Sequence, residues 1–299
     1  MTPHVHVGPE PDPEIEAAVS AAGGRLAALD AADAVVWADS MPGQFPASLP
    51  EGVRWVQIPP AGVEAWRDVV DRDRAWTSST GAYGPQVAEH TLALMLAGGH
   101  RLAESARART WTEPEVVPLA GSTVAIVGAG GIGRDLIGLL APFDVEVLAV
   151  TRRGLAVEGA ARTLPADRVD EVWPDAHYVV LAAPATEATR HLVDAAQLAA
   201  MRSDAWLVNI ARGSLIDTDA LVAALAAGEI GGAALDVTDP EPLPDGHPLW
   251  SEPRALITPH VANPLVVRRP AFLARVRENV ERFAAGEPLA GVIDVDAGY

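Results

Sequence analysis

Short, nearly continuous apolar runs recur along the chain: VRWVQI (53–58), TVAIVG (123–128), VEVLAV (145–150), YVVLAA (178–183), AWLVNI (205–210) and ALIT (255–258). Runs of this length, rich in Val and Ile and without strict polar alternation, are the pattern of parallel strands buried on both faces. Helical patterns lie between several of them. AAQLAAM (195–201) and ALVAALAAG (220–228) have helical spacing, and Gly228 stands where a helix C-terminal glycine belongs. Alternation of strand and helix predicts doubly wound parallel sheets.

Two longer segments set the domain organisation. PQVAEHTLALMLAGGHRL (85–102) opens on a proline suited to a first helical turn and stays apolar over much of its length. It reads as a helix leading out of a first domain. RRPAFLARVRENVERFAAG (268–286) follows the last strand and reads as a helix returning to that first domain. The expectation is an α/β protein of two Rossmann-like domains with a cleft between them. Residues 1–91 plus 266–299 form a discontinuous substrate domain, and 92–265 an inserted dinucleotide-binding domain. PDPE near residue 11 and EPLPDGHP near 241 read as loops.

Composition narrows the chemistry. The 299 residues, 49% apolar, suffice for two cores of ordinary size. There is no cysteine, and all 22 basic residues are arginine. Disulfides, thiolate nucleophiles, thiolate zinc sites, lysine Schiff bases and the P-loop lysine are therefore excluded. A formal charge of −18 argues against nucleic-acid binding and attachment to anionic membranes. The opening MTPHVHVGPEPDPE has no leader pattern, and no apolar run reaches a membrane span, so the expected setting is cytoplasmic. His4 and His6 alternate on a possible strand but lack a third ligand, and no metal site is expected.

Gly128, Gly130 and Gly133 fit G-x-G-x-x-G, with an apolar strand before and the helical run DLIGLLAPF after; Gly131 and Ile132 lie inside the loop. In that context the glycines allow a tight turn and let backbone N–H groups approach a pyrophosphate at a helix N-terminus. The next strand ends in Thr151, Arg152 and Arg153, where an acidic residue for the ribose 2′-hydroxyl of NAD is usual. Two guanidiniums there favour a 2′-phosphate, so NADP is the expected cofactor, with NAD possible.

Downstream stand Arg212 in VNIARGS, Glu241 in DPEPLP and His260 in ITPHVAN, separated by 29 and 19 residues. A guanidinium holds a carboxylate through two parallel hydrogen bonds, an imidazole carries a proton at neutral pH, and a second carboxylate orients that imidazole. Singly, each is an ordinary structural residue. Behind a dinucleotide loop, together, they read as a nicotinamide-dependent oxidoreductase.

The chain resembles the D-isomer-specific 2-hydroxyacid dehydrogenases, which include glyoxylate and hydroxypyruvate reductases. The matching segments are GVRWVQIPPAGVEAW, PQVAEHTLALML, LAGSTVAIVGAGGIG, LAAPATEATRHLVDAAQLAAM, VNIARGSLID, ALDVTDPEPLP, ITPHVAN and ENVERFAAGEPLAGVIDVDAGY. The first fifty residues are the least diagnostic. The resemblance implies that Arg212 clamps the substrate carboxylate and polarises its carbonyl. It makes His260 the general acid and base, with Glu241 on its other ring nitrogen, and it aims Asp236 at the nicotinamide carboxamide. It further implies that main-chain N–H groups of the Pro60–Val63 loop (Ala61, Gly62 and Val63) complete the carboxylate site. Ala183, Pro184 and Thr186 would lie beside the adenosine, with Ile210 and Ala211 completing the cofactor contacts. Negative charge develops on the keto oxygen during reduction, and a protonated His260 beside Arg212 suits that charge. The implied activity is reduction of small 2-oxo acids to 2-hydroxy acids by a homodimer. The alternative from another class is a dinucleotide-sensing, corepressor-like binding protein on the same fold. A formate or phosphite dehydrogenase would need a site reshaped for a smaller anion, of which the sequence shows no sign.

Overall fold

The computed structural model describes residues 1–298. Its chain divides into two compact units, Met1–Tyr83 with the segment from Pro264 onward, and Gly84–Asn263.

The first unit begins with β1 (His4–Gly8), α1 (Pro13–Ala21), β2 (Arg25–Leu26), β3 (Ala34–Trp37), β4 (Trp55–Gln57) and β5 (Ala75–Thr77). All pairings are parallel in the order β2-β1-β3-β4-β5. β3 and β4 are buried along their whole length, and VRWVQI accordingly reads as a nearly continuous apolar run, with Gln57 buried among its apolar neighbours. PDPE is not all loop, as the proline-rich composition suggests. Asp12 caps α1 by accepting from the N–H groups of Glu14 and Ile15, both at 3.1 Å, and Pro13 occupies the first turn. Proline there loses no helical hydrogen bond. His4 and His6 lie on β1, where His4 Nδ1 contacts Asp33 at 3.2 Å and His6 Nδ1 contacts the Ala27 carbonyl at 3.3 Å.

The second unit opens with α2 (Gly84–Gly99) and α3 (Leu102–Arg107), followed by β6 (Thr123–Val127), α4 (Gly131–Leu140), β7 (Glu146–Thr151), β8 (Arg162–Pro165) and β9 (Tyr178–Leu181). It continues through α5 (Ala195–Ala200), β10 (Trp206–Asn209), α6 (Thr218–Ala227), β11 (Gly232–Leu235) and β12 (Ala255–Ile257). Its seven parallel strands run β12-β11-β10-β9-β6-β7-β8. Strand order reverses between β6 and β9, the switch point at which open α/β sheets bind ligands beyond their carboxyl ends.

The division falls before α2 rather than inside it, at 83/84 instead of 91/92, and the return falls at 263/264 instead of 265/266. The physical reason is that α2 packs along its length on α4 and against β10 and β11. The same packing ends the helix before residue 102. A Cβ on Gly98 would lie 2.5 Å from the Trp206 ring, and Gly99 sits against the Tyr178 hydroxyl. Arg101 then turns the chain at φ 53°.

The last helix, α7 (Leu265–Ala285), belongs to the first unit. It starts three residues earlier than the sequence pattern suggests, with Pro270 inside it. Phe272, Val276 and Val280 pack with Val5, Val7, Ile15 and Trp55 in one core. Gly286 closes the helix in the left-handed conformation at φ 72°.

Candidate active site

The dinucleotide cradle is built at the switch point. Gly128 follows β6 at φ 97°, and a Cβ there would lie 2.6 Å from Ala182 C and Ala183 Cα. Only glycine satisfies both the backbone angle and that approach. Gly130 caps α4 with open space where a side chain would go, and a Cβ on Gly133 would press on Ile126 at 3.1 Å. The N–H groups of Gly131, Ile132 and Gly133 make no hydrogen bond to a described residue, leaving the start of α4 ready for an anion.

Beyond β7, Thr151 Oγ1 is buried without a hydrogen-bond partner among the described residues, and Arg152 and Arg153 are exposed. Beyond β9, Ala183 is 9% exposed, and the Pro184–Thr189 turn is closed by Thr189 Oγ1 donating to the Pro184 carbonyl at 2.7 Å and accepting from Thr186 N at 2.8 Å. Open space at Gly130, three unused N–H donors and an orphaned hydroxyl fit a phosphorylated dinucleotide.

Arg212, Glu241 and His260 stand past β10, β11 and β12, at the carboxyl ends of neighbouring strands. The turn at Arg212 is held by Asn209, whose side chain is fully buried. Its Nδ2 donates to the Arg212 carbonyl at 2.8 Å and its Oδ1 accepts from Ala211 N at 3.1 Å. Ile210 N donates to the Leu181 carbonyl at 3.3 Å, tying the same turn to β9. Gly213 packs directly on the Thr238–Asp239 backbone, so no side chain fits there. Thr238 N in turn donates to Glu241 Oε2 at 3.4 Å, and Glu241 Oε1 meets His260 Nδ1 at 2.7 Å. Arg212, Glu241 and His260 are thus linked through consecutive contacts.

His260 has a left-handed backbone at φ 52°, a conformation rare outside glycine and usually over-determined by its surroundings. Here its N–H donates to the Asp236 carbonyl at 2.8 Å. The Asp236 carboxylate continues the clamp. Oδ1 accepts from Thr258 Oγ1 at 2.6 Å and Val261 N at 2.9 Å, with His90 Nε2 at 3.3 Å, and Oδ2 accepts from Ala262 N at 3.0 Å. Burial pushes the Asp236 pKa up, but the donors from His90, Thr258, Val261 and Ala262 outweigh it and bring the value down to about 2. Asp236 is 2% exposed and both its oxygens face protein donors. These bonds hold the 258–262 segment that carries His260.

Because the folded pKa is depressed, Asp236 contributes stability that is present above the ordinary carboxylate value of 3.8 and is lost as pH falls through about 2. Asp236→Asn removes the charge at every pH. Amide exchange at Val261 and Ala262 is expected to quicken at least about tenfold at neutral pH, the loss of roughly 1.5 kcal/mol of charge-assisted bonding. Unchanged exchange would refute the clamp. His90, Thr258, Asn209 and Gly213 were not among the sequence candidates. Only His90, inside VAEH, carried a legible signal, as a histidine on a mostly apolar helix.

The family model for the NAD binding domain of the D-isomer specific 2-hydroxyacid dehydrogenases matches residues 90–262. The chain belongs to that family. Within it, this dehydrogenase is 44% identical over 283 residues to a protein of Corynebacterium melassecola known as the uncharacterized protein in the proB 3′ region, covering 92% of each chain. Among solved structures it is similar to a D-isomer specific 2-hydroxyacid dehydrogenase of Xanthobacter autotrophicus Py2 in complex with NADPH and MES. That likeness has a TM-score of 0.84 and 26% identity over the whole of both chains. It is likewise similar to the NADPH-dependent glyoxylate/hydroxypyruvate reductase of Sinorhizobium meliloti in complex with NADP and sulfate, with a TM-score of 0.82 and 27% identity, again over both whole chains. Among the described residues of this dehydrogenase, no helix is long and apolar enough to cross a membrane.

Proposed function

We propose that this dehydrogenase works as an NADPH-dependent reductase of small 2-oxo acids, of the kind named in its glyoxylate/hydroxypyruvate reductase relatives. The observation that carries the reading is the 2.7 Å contact between Glu241 and a backbone-strained His260. A bond at Nδ1 makes that atom the donor to Glu241 and leaves Nε2 to deliver a proton.

When bound, the reduced dinucleotide supplies a hydride to the keto carbon. Arg212 holds the substrate carboxylate and attracts the keto oxygen as it becomes negative. His260 gives that oxygen its proton, and Glu241 keeps the imidazole oriented and compensates its charge. The N–H groups of Ala61, Gly62 and Val63 donate to no described group, which suits them to a carboxylate. Ala183, Pro184, Thr186, Ile210 and Ala211 line the cofactor side.

Arg152, Arg153 and the Thr151 hydroxyl take the 2′-phosphate. Arg152→Ala with Arg153→Ala is expected to raise the KM for NADPH by about 10-fold or more while leaving that for NADH within about twofold, since only the former carries the phosphate that charge-assisted bonds reach. Equal effects on both cofactors in steady-state assays would refute the assignment. A homodimer in the cytoplasm is part of the same reading, supported by the prevalence of two-fold symmetric assemblies. The test of the whole is oxidation of NADPH, followed by absorbance, on adding glyoxylate, hydroxypyruvate or pyruvate. Dinucleotide binding without turnover of any acid would favour a sensor instead.

A further inference from the structure

In the first unit, the loops after β4 and β5 are joined carbonyl by carbonyl. The Tyr83 hydroxyl donates to the Pro59 carbonyl at 2.8 Å, Ser79 N to that of Pro60 at 2.9 Å, and Thr80 Oγ1 to that of Ala61 at 2.9 Å. With successive carbonyls engaged on that side, the N–H groups of Ala61, Gly62 and Val63 donate to no group among the described residues.

Helix α7 contributes to the same place. Arg275, 9% exposed, donates to the carbonyls of Ser78 at 3.3 Å and Thr80 at 3.0 Å and pairs with Glu278 at 3.3 Å. Arg268 lies two helical turns before it, on the same stripe as Arg275 and the core residue Phe272. Its neighbour Arg269 is held by Asp12 and Glu14. Arg268 is exposed and has no carboxylate partner among the described residues, although the chain has 40 acidic residues to 22 arginines. That stripe faces the loop at Arg275, which binds the Ser78 and Thr80 carbonyls. Burial pushes the Tyr83 phenol up, while Ser79, Arg268 and Arg275 act the other way. The fully buried Ser79 hydroxyl has no hydrogen-bond partner among the described residues. Unused N–H groups, an unpaired guanidinium and an unsatisfied hydroxyl make a set rich in donors and poor in acceptors. The matching ligand is rich in anionic oxygen.

We propose that Arg268 is a specificity-determining residue that binds a second carboxylate, at the far end of a 2-oxo acid whose first carboxylate is held by the Ala61–Val63 loop. This rests on the reductase reading and narrows it to 2-oxo dicarboxylates. In a protein of net charge −18, a dianionic substrate needs such a local cation, because screening confines the help of distant arginines.

The experiment compares kcat/KM for oxaloacetate and 2-oxoglutarate with that for the uncharged-tail acids 2-oxobutyrate and 2-oxovalerate, in wild type, Arg268→Gln, Arg268→Lys and Arg277→Gln. Arg277 is an exposed residue of the same helix and serves as the control. The expected result is a wild-type preference for the dicarboxylates. Arg268→Gln lowers their kcat/KM by about 10- to 100-fold, mainly through KM, and leaves the uncharged-tail acids within about twofold. Arg268→Lys restores part of the loss and Arg277→Gln changes nothing. Parallel losses on both substrate classes, or no wild-type preference, would overturn the proposal. If the wild type turns over none of these acids, nor glyoxylate, hydroxypyruvate or pyruvate, the reductase reading fails. Calorimetric titration with D-malate and D-lactate then decides the arginine separately: a D-malate advantage abolished by Arg268→Gln supports it, and equal binding refutes it.

Discussion

His260→Ala is expected to lower turnover of a 2-oxo acid by about 10²- to 10⁴-fold, the usual worth of a positioned general acid, while leaving dinucleotide affinity within about twofold. The reasoning is local. The imidazole Nδ1 is 2.7 Å from Glu241, while the backbone N–H of His260 donates to the Asp236 carbonyl, a bond that survives truncation of the side chain. The cradle at Gly128–Gly133 and Thr151–Arg153 lies beyond other strands of the sheet and keeps its own hydrogen bonds. Stopped-flow reduction measured beside a fluorescence titration of NADPH separates the two effects. Retained turnover would dismiss His260 as the acid, whereas joint loss of turnover and binding would point to collapse of the loop.

The second large effect is at Arg212. Arg212→Lys keeps the charge but replaces a planar fork with a point donor, and kcat/KM should fall by about 10²- to 10³-fold, the scale of losing a well-formed bidentate pair. Two-substrate kinetics should show KM for the acid rising as kcat falls, because the same guanidinium serves the bound carboxylate and the developing oxyanion. A change confined to the KM for NADPH would move Arg212 out of the substrate site. Asn209 supports the prediction, since its amide holds the Arg212 carbonyl and the Ala211 N–H and the lysine starts from the same place.

The elements best legible in the sequence are those where one local cause decides. The runs at 123–128, 178–183 and 205–210 are strands because they are buried on both faces, and burial on both faces leaves an uninterrupted apolar signature. Gly228 closes α6 at φ 73°, as its position after the last apolar turn implies. Where tertiary packing decides, the pattern misleads. The Gly98-Gly99 pair marks the end of α2, but its reason, the approach of Trp206 and Tyr178 from strands far along the chain, is not written beside it. PDPE looks like a loop by composition, and only the Asp12 cap shows that its second half starts a helix.

The candidate site divides in the same way. Arg212, Glu241 and His260 stand out by residue type and spacing. Asp236 carries a visible carboxylate but not its partners, which come from α2, from Thr258 and from two backbone N–H groups. A role that depends on what surrounds a residue on several elements is not written beside it in the chain.

The left-handed backbone of His260 couples catalysis to stability in opposite senses. Left-handed residues other than glycine cost on the order of 1 kcal/mol, so His260→Gly relaxes the loop even as it removes the acid. Freed from the reaction, the position would be better filled by glycine. The histidine is therefore a marker of continued use, since nothing in the architecture alone would retain it.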